Sequence, residues 1–449
     1  MLMDRMSRSE GMSKLTVGEK IYKLRKYNKT PQIVLAEIMR VRPDRIVRVE
    51  RGEAEYSEAH INAAKEHFDI VGLPLTEQEC ITFRERLYYW RSLLKLGRLD
   101  DAEVIHKEVA KIDNLEPCDF YLVMLSKMMK VRHLIVIGKL ESAEKILNDC
   151  QSLLPEMSVE CAFHYYFNKG ILSCSRGQNG YEEGLGFYLE AYEVLKNLES
   201  IFPDGDAGLY HNIASCYSFL EIPYRALFFL LKARRALEKN DVISSKLDLD
   251  RAFAFHYIQT NQLKEAEELL NKCLMKAEVF KDDTYIGYTL FYFGLASKRA
   301  ENWKIAVGYF EEALKHFSIG TNNYNASVYH KIYCTIRAKS FVKATQLLDQ
   351  AKLMSSASEM WAVYFKALRH HLKISSNMST FNNDDAIEYI ENIAIPRFIK
   401  EHEYFIAIDF YSLLEQHYEK LKSAKKSLLM AKAIRGIYER CYVYHGRNE

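Results

Sequence analysis

Along most of the chain, apolar residues recur every three to four positions, the spacing that places them on one face of an α-helix, and the breaks between these stretches are short and polar. Between Thr16 and Ile70 the stretches are brief. VGEKIYKLRKYN puts Val17, Ile21 and Leu24 on one face of a first helix. Thr30 is placed to cap a second, with Pro31 at its first position and Leu35, Ala36 and Met39 inward. In VRPDRIVRVERG, Pro43 marks a third helix start, Ile46 and Val49 form the buried stripe, and Arg45 and Arg48 fall on the outward face. Gly52 ends it, because a left-handed residue at a helix C-terminus favours glycine.

Gly72-Leu73-Pro74-Leu75 interrupts the pattern, and Thr76 to Glu79 has the spacing of a capping box that opens a new helix. Beyond it a turn followed by a helix with an early small residue recurs, as in GRLDDAEVI, GKLESAEKI, NQLKEAEEL, ENWKIAVGY and KSFVKATQL. Anchored on that residue, the units fall at Ala102, Ala143, Gly184, Ala226, Ala266, Ala306, Ala344, Ala386 and Ala424, at intervals of 41, 41, 42, 40, 40, 38, 42 and 38. Each unit reads as two antiparallel helices whose close crossing needs a small residue. The clearest unit has Tyr210, Ile213, Ala214 and Tyr217 on its first helix and Ala226, Leu230 and Ala233 on its second; another has Phe293, Gly294, Ala306, Phe310 and Ala313. The first two and last two units fit less well, with Trp90 and Val131 where small residues are expected, which suits caps or a dimer surface. The predicted architecture is all-α: a five-helix domain over 12–72, a linker at 73–75, and a right-handed α-solenoid of about nine helix pairs over 76–449.

Composition agrees, since 19 Gly and 8 Pro in 449 residues are few chain-breakers. The formal net charge is only +2, so affinity for nucleic acid has to come from a local patch. From Arg5 through Arg51 there are thirteen Lys and Arg against five Asp and Glu, which locates it. Lys20, Lys23, Arg25 and Lys29 are suited to phosphates, and Arg42, Asp44, Arg45 and Arg48 to base edges. Nine scattered cysteines without a C-x-x-C pair indicate buried thiols in a reducing compartment and neither a disulfide framework nor zinc. Met1 to Met12 is polar, unlike a signal peptide, and no stretch is long and apolar enough to span a bilayer. A cytoplasmic protein is expected. No P-loop, H-E-x-x-H or G-x-S-x-G is present, and neighbours such as His370 and His371 cannot share a metal from one helix face, so no enzyme, cofactor or metal is expected and a surface role is assigned to that pair.

The runs GEKIYKLR, QIVLA from Gln32 to Ala36 and IVRVERG from Ile46 to Gly52 resemble the repressor-type helix-turn-helix family. That resemblance implies a double-stranded DNA operator as partner, a contact from Gln32 to DNA, and a structural role for Glu50; Pro31 stands where the family carries Ser or Thr. The repeats are similar to tetratricopeptide repeats, with a longer period. Their first helices should line a groove in which side chains satisfy an extended peptide, and Asn offers donor and acceptor together. Asn212 and Asn168 take that position, Asn168 with Gly170 as the crossing residue; Tyr292 and His330 follow in later units, with Arg251 and Tyr329 beside them. Arg251 suits a peptide carboxylate. In this order the two modules resemble the RRNPP group of peptide-sensing quorum regulators of Gram-positive bacteria. The resemblance implies a homodimer whose DNA binding is controlled by a short signalling peptide. Two alternatives stay open, a module that binds a protein partner and a response-regulator phosphatase.

Overall fold

A computed structural model of the chain describes residues 15–176, 180–196, 205–238, 243–354, 359–376 and 384–442. Among these residues every regular element is a helix and there is no strand, in agreement with the expected all-α class. The chain divides into two compact units, Met1–Gly205 and Asp206–Glu449.

The first unit begins with α1 (Val17–Tyr27), α2 (Gln32–Met39), α3 (Pro43–Glu50) and α4 (Glu58–His67). The expected five-helix domain over 12–72 thus holds four helices in its described residues, 15–72, and positions 12–14 lie outside them. Thr16 and Glu19 close α1 with a reciprocal capping box. The expected cap of α2 is corrected: Pro31 is the N-cap and makes no side-chain bond, while the Thr30 hydroxyl lies 3.3 Å from His67 Nε2. Pro31 displaces the cap because its fixed φ already sets the extended entry to the helix. Arg40 ends α2 in the left-handed conformation, and Gly52 follows α3 in the same conformation as expected.

The segment 73–75, expected as a linker, is packed: Leu73 and Leu75 are buried in a core that runs without a break from Ile21 to Leu172. The capping box at Thr76 and Glu79 opens α5 (Glu77–Lys95), which pairs with α6 (Leu99–Glu108). Then come α7 (Phe120–Val136) with α8 (Leu140–Gln151), and α9 (Val159–Cys174) with α10 (Tyr181–Lys196). Trp90 and Val131, large where small residues were expected, are both fully buried. The α9–α10 crossing shows why a small residue is demanded: a Cβ on Gly170 would stand 2.4 Å from the Tyr188 ring, and one on Gly184 3.0 Å from the Gly170 carbonyl.

The second unit contains α11 (Gly205–Phe219) with α12 (Pro223–Glu238), α13 (Ile243–Gln259) with α14 (Leu263–Phe280), α15 (Asp283–Arg299) with α16 (Trp303–Ala313), and α17 (Asn322–Arg337) with α18 (Phe341–Met354). The next pair sets α19 (Glu359–Ser375) against a broken helix, in which α20 (Asp384–Tyr389) passes through a π-helical turn at Ile390–Ala394 into α21 (Ile395–Lys400). The last is α22 (Tyr404–Lys420) with α23 (Ala424–Tyr442), so the described residues hold nine helix pairs in all. The anchors Ala102, Ala143, Ala226, Ala266, Ala306, Ala344 and Ala386 are buried; Ala424 is exposed at the start of α23, so the ninth unit does not use it as a crossing residue.

The turn inside a pair repeats one backbone device, a left-handed residue just after the first helix. It is Gly97 and Gly138 in the first two pairs, and Glu221, Asn261, Glu301, Lys339 and Lys422 in later ones. Glu221 has a second task. Its carboxylate accepts the Phe405 N–H at 2.8 Å, capping the start of α22 from 184 positions away. Lys298 pairs with Asp409 at 2.7 Å beside it, and α12 packs on α23. The last helix pair of this unit is therefore fastened to its first.

Candidate functional site

The α2–turn–α3 segment presents a short basic helix. Arg42, Asp44 and Arg48 are exposed on and before α3. Arg45 is half-buried, and its guanidinium donates to the Glu55 carbonyl at 2.5 Å, so it is less free than expected. Gln32 donates its amide to Glu50 at 2.7 Å, and Arg25 grips the same carboxylate at 2.6 and 2.9 Å. Glu50 is thus the tie between all three helices, the structural role implied for it. Two cations expected at phosphates are placed elsewhere. Lys20 is buried against Asp119 at 2.8 Å, and Arg25 is buried on Glu50, whereas Lys23 and Lys29 are exposed.

In the first unit α5, α7 and α9 pack side by side as one wall. Side chains of α5 and α9 meet across α7, which requires that face to be concave. Arg84 reaches Glu160 at 2.8 Å, Tyr121 donates to the same carboxylate at 2.8 Å, and Tyr88 donates to it as well. Asn168, expected to face a peptide, is buried with both ends of its amide engaged: Nδ2 donates to the Met128 carbonyl at 2.8 Å and Oδ1 accepts from Arg132 Nε at 2.9 Å. It orients Arg132, whose guanidinium also lies 4.6 Å over the Phe167 ring. Burial, and then the nearby Arg91, push the Arg132 guanidinium down to about 9. Burial and the same arginines hold the His164 imidazole well below its ordinary value. The reading of the sequence missed this group, although Arg84, Tyr88 and Arg91 at i, i+4 and i+7 mark one helix face.

In the second unit, the first helices of the pairs gather several expected residues around Arg251. Its guanidinium lies 4.6 Å from the Tyr285 ring and 4.9 Å from Tyr288, and pairs with Asp248 at 3.2 Å, to which Tyr285 also donates. Arg251 therefore already has a carboxylate of its own. Tyr292 stacks on Phe255 at 5.2 Å, and Asn212 is half-buried and bonds the neighbouring His211. His330 is wedged between Phe291 and Phe310, at 5.8 and 5.5 Å. Tyr329 is corrected: it is 1% exposed, packed edge-on to Tyr364 in the core and not available to a groove. His371 is also buried, between Tyr333 and Phe410, and the surface role assigned to it does not hold.

One cluster brings metal-ligand types together. Ligand atoms of Glu103, His106 and His133 lie within 4.8 Å of one another, next to a cavity of about 400 Å³. The Trp90 indole N–H, which can only donate, faces His133 Nδ1 at 3.2 Å. The His133 proton is then on Nε2, 3.2 Å from the Glu103 carboxylate, and a protonated ring nitrogen has no lone pair for a metal. Glu103 holds His106 by a bond at 3.3 Å, and Trp90 holds His133. Eight of the nine cysteines are buried and Cys174 is half-buried; all are free thiols.

No protein-family model matches the chain. The regulatory protein RapF of Bacillus subtilis is 24% identical over 227 residues, 47% of this chain, and the match spans 58% of the length of RapF. Among solved structures, the apo form of the quorum sensor NprR from B. thuringiensis is similar with a TM-score of 0.62 at 20% identity, covering 79% of this chain and 98% of NprR. NprR with its cognate peptide NprX gives 0.60 at 22%, covering 78% and 99%. A Rap protein complexed with Competence and Sporulation Factor gives 0.67 at 16%, covering 80% and 98%. At these identities the shared property is the fold, a tetratricopeptide-like array of helix pairs. Among the described residues no helix is long and apolar enough to cross a membrane.

Proposed function

We propose, from the premise that the chain shares its repeat fold with NprR and the Rap proteins, that it is a DNA-binding regulator controlled by a short signalling peptide held on the wall of first helices. The observation that carries the reading is the exposed face of α3, with Arg42, Asp44 and Arg48 in solvent, on a helix-turn-helix set in one core with the first repeats. A face of this kind enters the major groove, where arginine grips guanine at two acceptors. Gln32, tied to Glu50, stands at the start of α2, and Lys23 and Lys29 are free for phosphates. The peptide would engage Asn212, Arg251 and Tyr292 with His330 nearby; NprR, which has a similar fold, forms a complex with its cognate peptide NprX. A homodimer places two such heads over two half-sites. This reading requires that peptide binding to the array change DNA binding by the heads.

A second reading is supported by the likeness to RapF over 47% of the chain: the array binds a protein partner, such as a phosphorylated receiver domain. DNA binding by the purified chain to fragments of its own gene neighbourhood, with and without short peptides encoded beside it, separates the two. Specific binding that responds to peptide and is lost in Arg48→Ala supports the regulator. No specific DNA in either condition, with faster loss of phosphate from a receiver domain, supports the partner reading.

A further inference from the structure

The cavity of about 400 Å³ between the first two helix pairs is lined by His106 and Lys107 of α6, Ser126 and Lys130 of α7, and Ile146 and Cys150 of α8. Because the array is periodic, each lining position has counterparts in other pairs, and three positions depart from them. His106, four residues after the anchor Ala102, stands where Leu147, Leu230, Leu270, Phe310 and Leu348 are buried. Lys130, thirteen residues before the anchor Ala143, stands where Ile213, Phe253 and Phe293 are buried and where Lys331 is answered by Glu311 at 3.1 Å. Glu311, five residues after its own anchor, corresponds to Lys107. An ion pair that joins neighbouring helix pairs in the second unit is thus replaced here by two cations on one cavity. Among the described residues Lys130 makes no hydrogen bond or ion pair, and Lys107 has only Glu103 at 3.9 Å, a carboxylate that already holds His106 at 3.3 Å.

Ser126 departs in a complementary way. Seventeen residues before their anchors, Thr289 and Ser327 turn their hydroxyls back onto the carbonyls of Tyr285 and Asn323, both at 2.8 Å. Ser126 holds the corresponding position, is 1% exposed, and its hydroxyl has no partner among the described residues. A buried donor left free is costly unless something in the cavity accepts from it or donates to it. The remaining surface is mostly apolar, and an apolar cavity of this size with a few convergent polar groups is the usual form of a small-molecule site. Lys107, Lys127 and Lys130 are offset by Glu103, Asp113 and Asp149, so the lining suits a single negative charge better than a dianion.

We propose that this cavity binds a small carboxylic acid with an aliphatic body, its carboxylate on Lys107, Lys130 and the Ser126 hydroxyl and its body against Ile112, Ile146 and Leu153. None of these residues is among those proposed for peptide or DNA.

Calorimetric titration of the full chain with sodium hexanoate tests the site, beside hexanamide, sodium acetate and sodium phosphate at equal ionic strength. Hexanoate should bind. Hexanamide, which lacks the charge, and acetate, which lacks the body, should bind at least tenfold more weakly, and phosphate not at all. Lys130→Met should weaken hexanoate at least tenfold, and Ser126→Ala severalfold. Lys107→Glu recreates the arrangement of Lys331 and Glu311, so it should abolish hexanoate binding and raise the unfolding midpoint of the ligand-free chain. That gain also shows the variant to be folded, and a lysine with no part in a site would leave binding unchanged. No binding of hexanoate up to its solubility overturns the site, as does hexanamide, acetate or phosphate binding as tightly as hexanoate. Hexanoate binding unchanged in both Lys130→Met and Lys107→Glu overturns it equally.

Discussion

Lys20 and Asp119 form an ion pair at 2.8 Å with side chains 3% and 2% exposed, joining α1 to the residue that precedes α7. Removing one partner leaves a buried charge alone, at a cost of about 3–5 kcal/mol. Lys20→Met and Asp119→Ala should each lose that much in urea unfolding. Asp119 also caps α7, accepting from the Leu122 N–H at 3.2 Å. The double variant Lys20→Met/Asp119→Asn keeps a capping side chain and removes both charges, so it should recover most of the loss. Burial pushes the Lys20 ammonium down, but Asp119 and Cys80 outweigh it and the net shift is upward. The stabilisation that the raised Lys20 contributes is thus present through neutral pH and is lost as pH rises past the ordinary lysine range.

The crossings of the helix pairs should be intolerant of a single methyl group. A Cβ on Gly294 would stand 2.6 Å from the Phe310 ring, and one on Gly170 2.4 Å from Tyr188. Gly170→Ala and Gly294→Ala are each expected to cost about 1–3 kcal/mol by overpacking. A thermal midpoint equal to wild type in both would show that the rings move aside freely.

The left-handed turn residues give paired outcomes. Glu301 takes φ 58° with no cap to make, so Glu301→Gly should stabilise by about 1 kcal/mol, since a side chain in that conformation is strained. Glu221 takes φ 55° and holds the Phe405 N–H, so Glu221→Gly should lower stability although it relieves the same strain. Parallel denaturant curves of the two variants check the opposite signs.

Acid should weaken the second unit before its carboxylates titrate. Burial holds His256 down to about 4, and burial with Arg337 and Lys298 holds His371 down to about 3. Unfolded, both take a proton near pH 6.5, so between there and pH 4 the unfolded chain binds more protons and stability falls with falling pH. Each histidine contributes a slope of about 1.4 kcal/mol per pH unit in that window. Urea midpoints at pH 7, 5.5 and 4.5 should show it, and His371→Met should flatten the curve.

The array was legible because a close crossing dictates a small residue at a fixed interval, and seven of the alanines so chosen are buried. Ala424 misled because an alanine early in a helix looks alike whether it faces a neighbour or solvent. The groove was less legible. Asn168 and Tyr329 sit at the right spacing but are spent inside the fold, Asn168 on Arg132 and Met128, Tyr329 on core packing. Lys20 likewise reads as a surface cation until Asp119, 99 positions on, is brought to it. Helical period reports which way a residue faces within its own helix. It carries no information about which partner arrives from another.

The bond from Glu221 to the start of α22 alters how the second unit should come apart. A row of repeats joined only to their neighbours has two loose ends, and it melts inward from whichever end is weaker, one pair at a time. Here the terminal pair is clasped to the opening one by Glu221 and by α12 on α23, and to the third pair by Lys298 on Asp409. Fraying from the C-terminus then has to break long-range contacts along with local ones, so partly melted species are penalised and the six pairs should lose structure in one sharp transition.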